Sequence, residues 1–358
     1  MKRKSLNVRK INHEKILIFL NDPKIKKIYD TFKINIIKIK DVKNFSAAIS
    51  GGPDSLSLAY LLKCYSIKNS KKIEYYHVDH GLKKNSNKEA NYAKFLLKKI
   101  QINLKIIKWK GNKPHTNIQS IARKNRYNLL LKKISKKKNN FLFLGHNMDD
   151  LIENFILRVS RGSGLDGFVS FNNIFTDFKE TKIVRPLINI EKNNLIYLSK
   201  KVFGDFIFDL SNEDIKFKRV RIRKIIEDLK EEGINYKKIY ETISNLSESN
   251  LTIKHYTKKN ILNNVTYLTS DKYLLKKNFF EQSNEVILRS FIMIFRQIGN
   301  KYYVPRGKKI INLINNIKKS SYKKSTLGGC IIEKLNESIL ICKENTKKKA
   351  KLYNLPLV

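Results

Sequence analysis

The chain has 358 residues, and 74 Lys or Arg against 31 Asp or Glu give it a formal charge of +43, which would repel itself unless a polyanion shared its volume. That length gives room for two or three domains at about 150 residues each and excludes a single small module. Apolar residues at 41% exclude wholesale disorder, and three scattered cysteines, Cys64, Cys330 and Cys342, with no C-x-x-C pair argue against a disulfide framework, a tetrathiolate zinc site or an iron–sulfur cluster. Nucleic acid or an acidic membrane surface is the natural partner of such a charge, although Lys, Asn and Ile fill so many permissive positions that part of the excess is compositional bias.

Residues 1–40 read as a helical lead-in with a break at Asp22-Pro23; their apolar run 16–20 is too short for a signal-peptide core or a membrane span, and a reducing cytosol is expected. From 45 to 144, short apolar runs alternate with helical periodicity. Strands are expected at 45–49, 73–78, 104–109 and 141–144, with helices at 54–65, 87–100 and 117–133 between them. Such alternation predicts an α/β fold, a Rossmann-like parallel sheet with helices on both faces, whose ligands sit beyond the strand carboxyl ends. Residues 224–300 lack this rhythm, and Val286, Ile287, Phe291, Ile292 and Phe295 fall at helical spacing. The tail, 301–358, holds two apolar runs around Asn336-Glu337, which predicts a hairpin in a small α+β domain. Three domains follow: 1–223, a helical 224–300, and 301–358.

The strongest local signal is Ser50-Gly51-Gly52-Pro53-Asp54-Ser55, between an apolar strand and the helix that follows. Glycines allow a tight turn and close approach to a phosphate, the helix N-terminus presents unpaired N–H groups, and serine hydroxyls add donors. A plain turn capped by Asp54 is the bland alternative. The Gly-Lys-Ser/Thr ending of hydrolytic P-loops is missing, so γ-phosphate hydrolysis is not favoured. Further along, at about 100° per residue Met148, Leu151, Ile152, Phe155 and Val159 form an apolar stripe, with Asp150, Glu153 and Asn154 opposite. Two carboxylates thus share a polar face near the strand ends, where a solvated face is the competing account. His77, Asp79 and His80 alternate along one strand and so do not converge as a zinc site. Arg161-Gly162-Ser163-Gly164 fits a helix stop, and Arg219, Arg221 and Arg223 offer fixed positive charge for phosphates or for solvent.

The loop 50–55 resembles the pyrophosphate loop of the N-type ATP pyrophosphatases, or PP-loop superfamily. With His77-Val78-Asp79-His80-Gly81-Leu82, Leu144-Gly145-His146-Asn147-Met148-Asp149-Asp150-Leu151-Ile152-Glu153-Asn154 and Arg161-Gly162-Ser163-Gly164-Leu165, the chain resembles the tRNA(Ile)-lysidine synthetases. The likeness continues through Asn117-Ile118-Gln119, Ala122-Arg123, Arg185-Pro186-Leu187 and Asp209-Leu210-Ser211-Asn212-Glu213-Asp214, and faintly in Thr326-Leu327-Gly328-Gly329-Cys330.

The resemblance implies ligation of L-lysine to C2 of the wobble cytidine of tRNA(Ile) with a CAU anticodon, through an O2-adenylated intermediate. ATP and Mg²⁺ would be used, and lysidine, AMP and pyrophosphate formed. It implies that Ser50, Gly51, Gly52, Pro53, Asp54, Ser55, Asp79, His80, His146, Gly162 and Ser163 bind the nucleotide, with Asp54 also at the metal. Asp150 and Glu153 would receive lysine and assist its deprotonation. Arg123 would stabilise transition-state charge, and Arg219 and Arg223 would contact substrate. The later domains would bind the tRNA, with no membrane involved; nothing in the sequence sets the oligomeric state, a homodimer included. Asn147, Asn154, Leu210 and Val220 depart from the family's His, Thr, Pro and frequent Asn. The rival readings are a tRNA 2-thiolation enzyme of the same superfamily, which needs cysteine chemistry, a glutamine-dependent amidotransferase, for which no glutaminase half is visible, and a catalytically inactive basic RNA-binding protein.

Overall fold

A computed structural model describes residues 13–37, 39, 44–82, 85–111, 118–134, 140–178, 181–208, 216, 218–299 and 304–344. The expected motif 209–214, the start of the 117–119 motif and the chain's two ends lie outside the described residues. The chain divides into two compact units, Met1–Leu246 and Ser247–Val358.

In the first unit the lead-in forms helix α1 (Pro23–Ile36), and the break becomes its cap: Asp22 accepts from the Lys24 and Ile25 amides, and Pro23 fills the first helical position, where no N–H is needed. Strands β1 (Asn44–Ala48), β2 (Lys72–Asp79), β3 (Leu104–Lys108) and β4 (Asn140–Phe143) alternate with helices α2 (Pro53–Asn69), α3 (Ser86–Lys98) and α4 (Ile118–Ile134). Each lies within a few residues of its sequence expectation. Beyond them come α5 (Met148–Val159), the short α6 (Leu165–Val169), β5 (Phe175–Phe178), β6 (Thr181–Val184), α7 (Lys192–Phe203) and α8 (Lys218–Glu231).

The six-stranded sheet runs β3-β2-β1-β4-β6-β5, parallel except for the β5 edge. β1 is followed in space on opposite sides by β2 and β4, so the strand order reverses there and opens a crevice at the carboxyl ends of β1 and β4. Helix α2 is apolar all round and entirely buried from Leu56 to Leu62, which fixes the loop before it. The β5–β6 pair has no counterpart in the sequence expectation, because four-residue strands carry too little periodicity to read.

The long helix α9 (Tyr236–Asn264) carries the chain from one unit into the other. In the second unit an antiparallel sheet, β7 (Val265–Thr269), β8 (Lys272–Leu275), β9 (Lys324–Leu327), β10 (Cys330–Leu335) and β11 (Ser338–Lys343), has the order β7-β8-β11-β10-β9. The expected hairpin is present: Leu335 pairs with Ser338 around Asn336, whose φ of +53° suits asparagine. Helix α10 (Asn284–Ile298) buries Val286, Ile287, Phe291 and Phe295 as the spacing predicts, and α11 (Gly307–Ile317) adds Ile310 and Ile314. Between 224 and 299 the elements are therefore helices except for the β7–β8 hairpin, whose alternating Val265 and Tyr267, Tyr273 and Leu275 pass for helix in a lysine- and asparagine-rich background.

Candidate active site

Two backbone close-approaches build the crevice. Gly51 has φ +96°, and a Cβ there would fall 2.3 Å from Ile207 Cδ1; the same turn is pinned by the Ile207 amide donating to Gly51 O at 3.0 Å. At the end of β4, a Cβ on Gly145 would sit 3.1 Å from the Asp54 carbonyl group, so only glycine lets this strand end lie against the first turn of α2. Ser55 ties the loop: its Oγ accepts from the Ser50 amide (3.1 Å) and the Gly51 amide (3.0 Å) and donates to Gly52 O (3.0 Å). The loop therefore keeps its shape by itself, and the positive end of α2 faces the crevice behind it.

The opposite wall is the start of α5. Asn147 caps it in a reciprocal box: its Oδ1 accepts from the Asp150 amide (3.0 Å), while Asp150 Oδ2 accepts from the Asn147 amide (3.2 Å). The residue that departs from the family thus serves as a helix cap. Asp149 Oδ2 accepts from the Lys192 amide at 2.9 Å, joining α5 to α7. Met148 and Ile152 pack on Ile222 and Ile226 of α8, and Leu151 on Ile188 and Ile243. Two details differ from the helical wheel. Val159 is half exposed, whereas Glu153, expected on an open polar face, is 5% exposed, because α8 covers that face and supplies Arg223 as a partner. Arg223 Nε donates to Glu153 Oε1, and Nη2 lies 3.4 Å from Oε2, a two-pronged ion pair.

Between these walls lies a cavity of about 340 Å³. Of the predicted site residues, Ser50, Asp54, Ser55, His146, Asp150, Glu153, Arg123, Arg219 and Arg223 line it. Asp79 and His80 do not; Asp79 Oδ1 accepts from the Gly81 amide, and His80 Nε2 accepts from Arg126 Nε at 3.3 Å, so His80 adjoins the cavity through Arg126. Gly162 and Ser163 lie in the turn after α5 and do not line it, and Gly51, Gly52 and Pro53 shape its edge from behind. The cavity also has Asn147 and Asp149 of the 144–154 motif, and Arg126, Tyr127 and Lys192, to which the sequence assigns no role. Arg126 and Tyr127 follow Arg123 by one helical turn, a signal that periodicity carried; Lys192 gave no local sign.

The electrostatics are those of a reaction site. Burial, reinforced by the charge of Asp150, pushes the Asp54 carboxyl up to about 7, against the pull of Lys192 and the Asn147 amide. Burial likewise raises Asp150 and Glu153, with Asn147 and Arg223 respectively resisting most. His146 is held well below the usual histidine range by burial and by Arg185, whose Nε donates to Nδ1 at 3.2 Å. The neutral ring therefore carries its proton on Nε2, the nitrogen free to donate to an anion. Burial and Arg126 lower His80 to about 4.

Asp54 Oδ1 is buried without a hydrogen-bond partner. A carboxylate oxygen left bare beside a second carboxylate suits a Mg²⁺ ion held by one or two carboxylates and by substrate phosphates. Among the described residues no three His, Cys, Asp or Glu side chains gather as a self-sufficient metal cage.

A glycine loop at the sheet's switch point, facing acids across a basic cavity, is the arrangement of an ATP-using enzyme of the PP-loop class, and the family model for the PP-loop domain matches residues 22–229, more than half of the chain. A tRNA(Ile)-lysidine synthase of Wolbachia pipientis wMel is 32% identical over 324 residues, covering 87% of this chain and 73% of that protein. One of Rickettsia bellii (strain OSU 85-389) is 30% identical, covering 90% and 75%. The chain belongs to the tRNA(Ile)-lysidine synthase family. Among solved structures, the U34-tRNA thiolase NcsA from Methanococcus maripaludis with its [4Fe-4S] cluster aligns with a TM-score of 0.53 at 20% identity, over 63% of this chain and 78% of that one, a likeness of fold alone.

Proposed function

We propose that this enzyme ligates L-lysine to C2 of the wobble cytidine of tRNA(Ile) with a CAU anticodon, giving lysidine, AMP and pyrophosphate, so that the tRNA reads AUA as isoleucine. The observation that carries the reading is one cavity holding both the nucleotide loop, with Ser50, Asp54 and Ser55, and the acids Asp150 and Glu153.

The chemistry explains the pairing. The cytosine C2 carbonyl is a poor electrophile, so its oxygen first attacks the α-phosphorus of ATP, expelling pyrophosphate and leaving an O2-adenylate. The loop and the N-terminus of α2 bind the departing pyrophosphate. Mg²⁺, held by Asp54 with phosphate oxygens, would offset charge as pyrophosphate leaves. Arg123 and Arg219 face the same space and stabilise the charge that grows there, and His146 Nε2–H donates to an anionic oxygen.

Lysine's ε-amine, with a pKa near 10.4, is unprotonated in only about one molecule in 2,500 at pH 7. The site must therefore bind the cation and then take a proton. Asp150 and Glu153 do both: their charge attracts the ammonium, and burial makes them better proton acceptors than ordinary carboxylates. Arg223 keeps Glu153 ionised until lysine arrives, and the amine then displaces AMP from C2.

The sulfur-transfer alternative lacks a thiol in the cavity. Cys64 is fully buried inside α2, with burial pushing its thiol up to about 12, and Cys330 and Cys342 belong to the second unit. We further assign the helical and terminal parts, 224–300 and 301–358, to gripping the tRNA body through their lysines. No described helix is long and apolar enough to cross a membrane.

The test is incubation with ATP, Mg²⁺, radiolabelled lysine and two transcripts sharing the CAU anticodon, isoleucine and methionine tRNA. Label on the isoleucine transcript alone is expected; no label on either, or label without ATP, contradicts the reading.

A further inference from the structure

Helix α3 buries Ala90, Ala93, Leu96 and Leu97 against the sheet side of the first unit. Its opposite face repeats at helical spacing: Lys88, Tyr92, Phe95 and Lys99, all exposed. Phe95 is 58% exposed and Tyr92 37%, an uncommon setting for two neighbouring aromatic rings on a soluble surface. The rings lie nearly parallel, 20° apart in plane with centroids at 6.1 Å. Both are held. Tyr92 Oη donates to Asp205 Oδ2 at 2.6 Å, and Lys99, whose Nζ donates to Phe203 O at 2.8 Å, sits 5.4 Å from the Phe95 centroid. Ala93 on the same helix is the residue whose Cβ lies 3.1 Å from where a Gly51 side chain would begin, so this helix backs the nucleotide loop.

We propose that the Lys88–Tyr92–Phe95–Lys99 face is a stacking platform for unpaired nucleotides of the RNA substrate; this rests on the tRNA reading above. Aromatic faces accept any base by stacking, and lysines at both ends supply phosphate contacts. The helix rise separates Lys88 and Lys99 by about 16 Å, enough for a few bases stacked at about 3.4 Å each. The acid beside the platform, Asp205, is capped by the Tyr92 hydroxyl, which limits its repulsion of a phosphate. An apolar protein partner fits less well, because the flanking side chains are cationic and the whole chain is strongly basic.

The test uses the full chain with three RNAs: the isoleucine tRNA transcript, its isolated anticodon stem-loop, and a fully paired hairpin of equal length. Phe95→Ala combined with Tyr92→Ala is expected to weaken binding of the first two by about tenfold or more while leaving hairpin and ATP binding unchanged. Phe95→Trp is expected to retain affinity and to show fluorescence quenched by the stem-loop, above the response of wild type, whose sole tryptophan is Trp109. Stem-loop affinity within about twofold of wild type in the double variant, with the emission of the Phe95→Trp variant unmoved by bound RNA, overturns the platform and leaves the tRNA reading intact. A wild-type chain that binds no tRNA overturns both.

Discussion

Two buried polar clusters, one around Asn260 in the second unit and one around Asp54 in the first, are built in opposite ways. In the second, Asn260 Nδ2 donates to Phe279 O (3.3 Å) and to Ser290 Oγ (3.2 Å), its Oδ1 accepts from Asn264, and Ser290 in turn donates to Val286 O. In the first, Asp54 Oδ1 and His80 Nδ1 are buried with no partner, and Asp54 and Asp150 repel each other across the cavity. A satisfied network specifies packing, whereas an unpaired buried carboxylate that lines a cavity costs stability and suits a ligand that supplies what is missing. The contrast separates what holds this protein together from what it does.

Asp54→Asn should break that contrast most sharply. Pyrophosphate release is expected to fall by about 100-fold or more, because the carboxylate at the pyrophosphate is lost. The same change should raise the melting temperature at pH 8 by about 4 °C, since a buried ionised carboxylate is removed. The pH dependence follows in sign: folded Asp54 binds its proton near 7 and the unfolded chain near about 3.9, so its contribution favours folding in acid and is lost as pH rises between those values. The gain of the variant should therefore shrink toward pH 4; calorimetry at both pH values checks it.

Asn260→Ala should do the reverse. It leaves the Ser290 hydroxyl and the Phe279 carbonyl without that donor, at a cost of about 1–3 kcal/mol in denaturant unfolding, while ATP affinity stays that of wild type.

Most of the first unit's strand–helix frame was readable because from β1 to β4 short apolar runs alternate with longer helix-length segments. The glycine loop and the acids of α5 were readable for the same reason: their letters are local. The cavity's other half was not. Glu153 becomes buried only because α8, some 70 residues away in sequence, brings Arg223 to it, and Lys192 enters from a helix start with no local mark of function. Asp79 and His80 look like site residues in the sequence, yet neither lines the cavity, and His80 adjoins it through Arg126.

That relay offers a smaller test. In Arg126→Ala the His80 pKa should rise from about 4 toward, but not to, the ordinary value near 6.5, because burial is the larger cause and remains; an NMR titration reads it. Smallest of all, Glu337→Ala removes an exposed pair with Lys277 and should leave the midpoint of denaturant unfolding at the wild-type value.

In the proposed reaction the glycine loop activates the base and the acidic helix delivers lysine to it. Single-turnover reactions with α-labelled ATP and tRNA(Ile) test it directly in Asp150→Ala and Glu153→Ala. Adenylate label is expected to accumulate on the tRNA while lysine transfer is lost. Loss of adenylation together with transfer, or lysine incorporation at the wild-type rate, would contradict it.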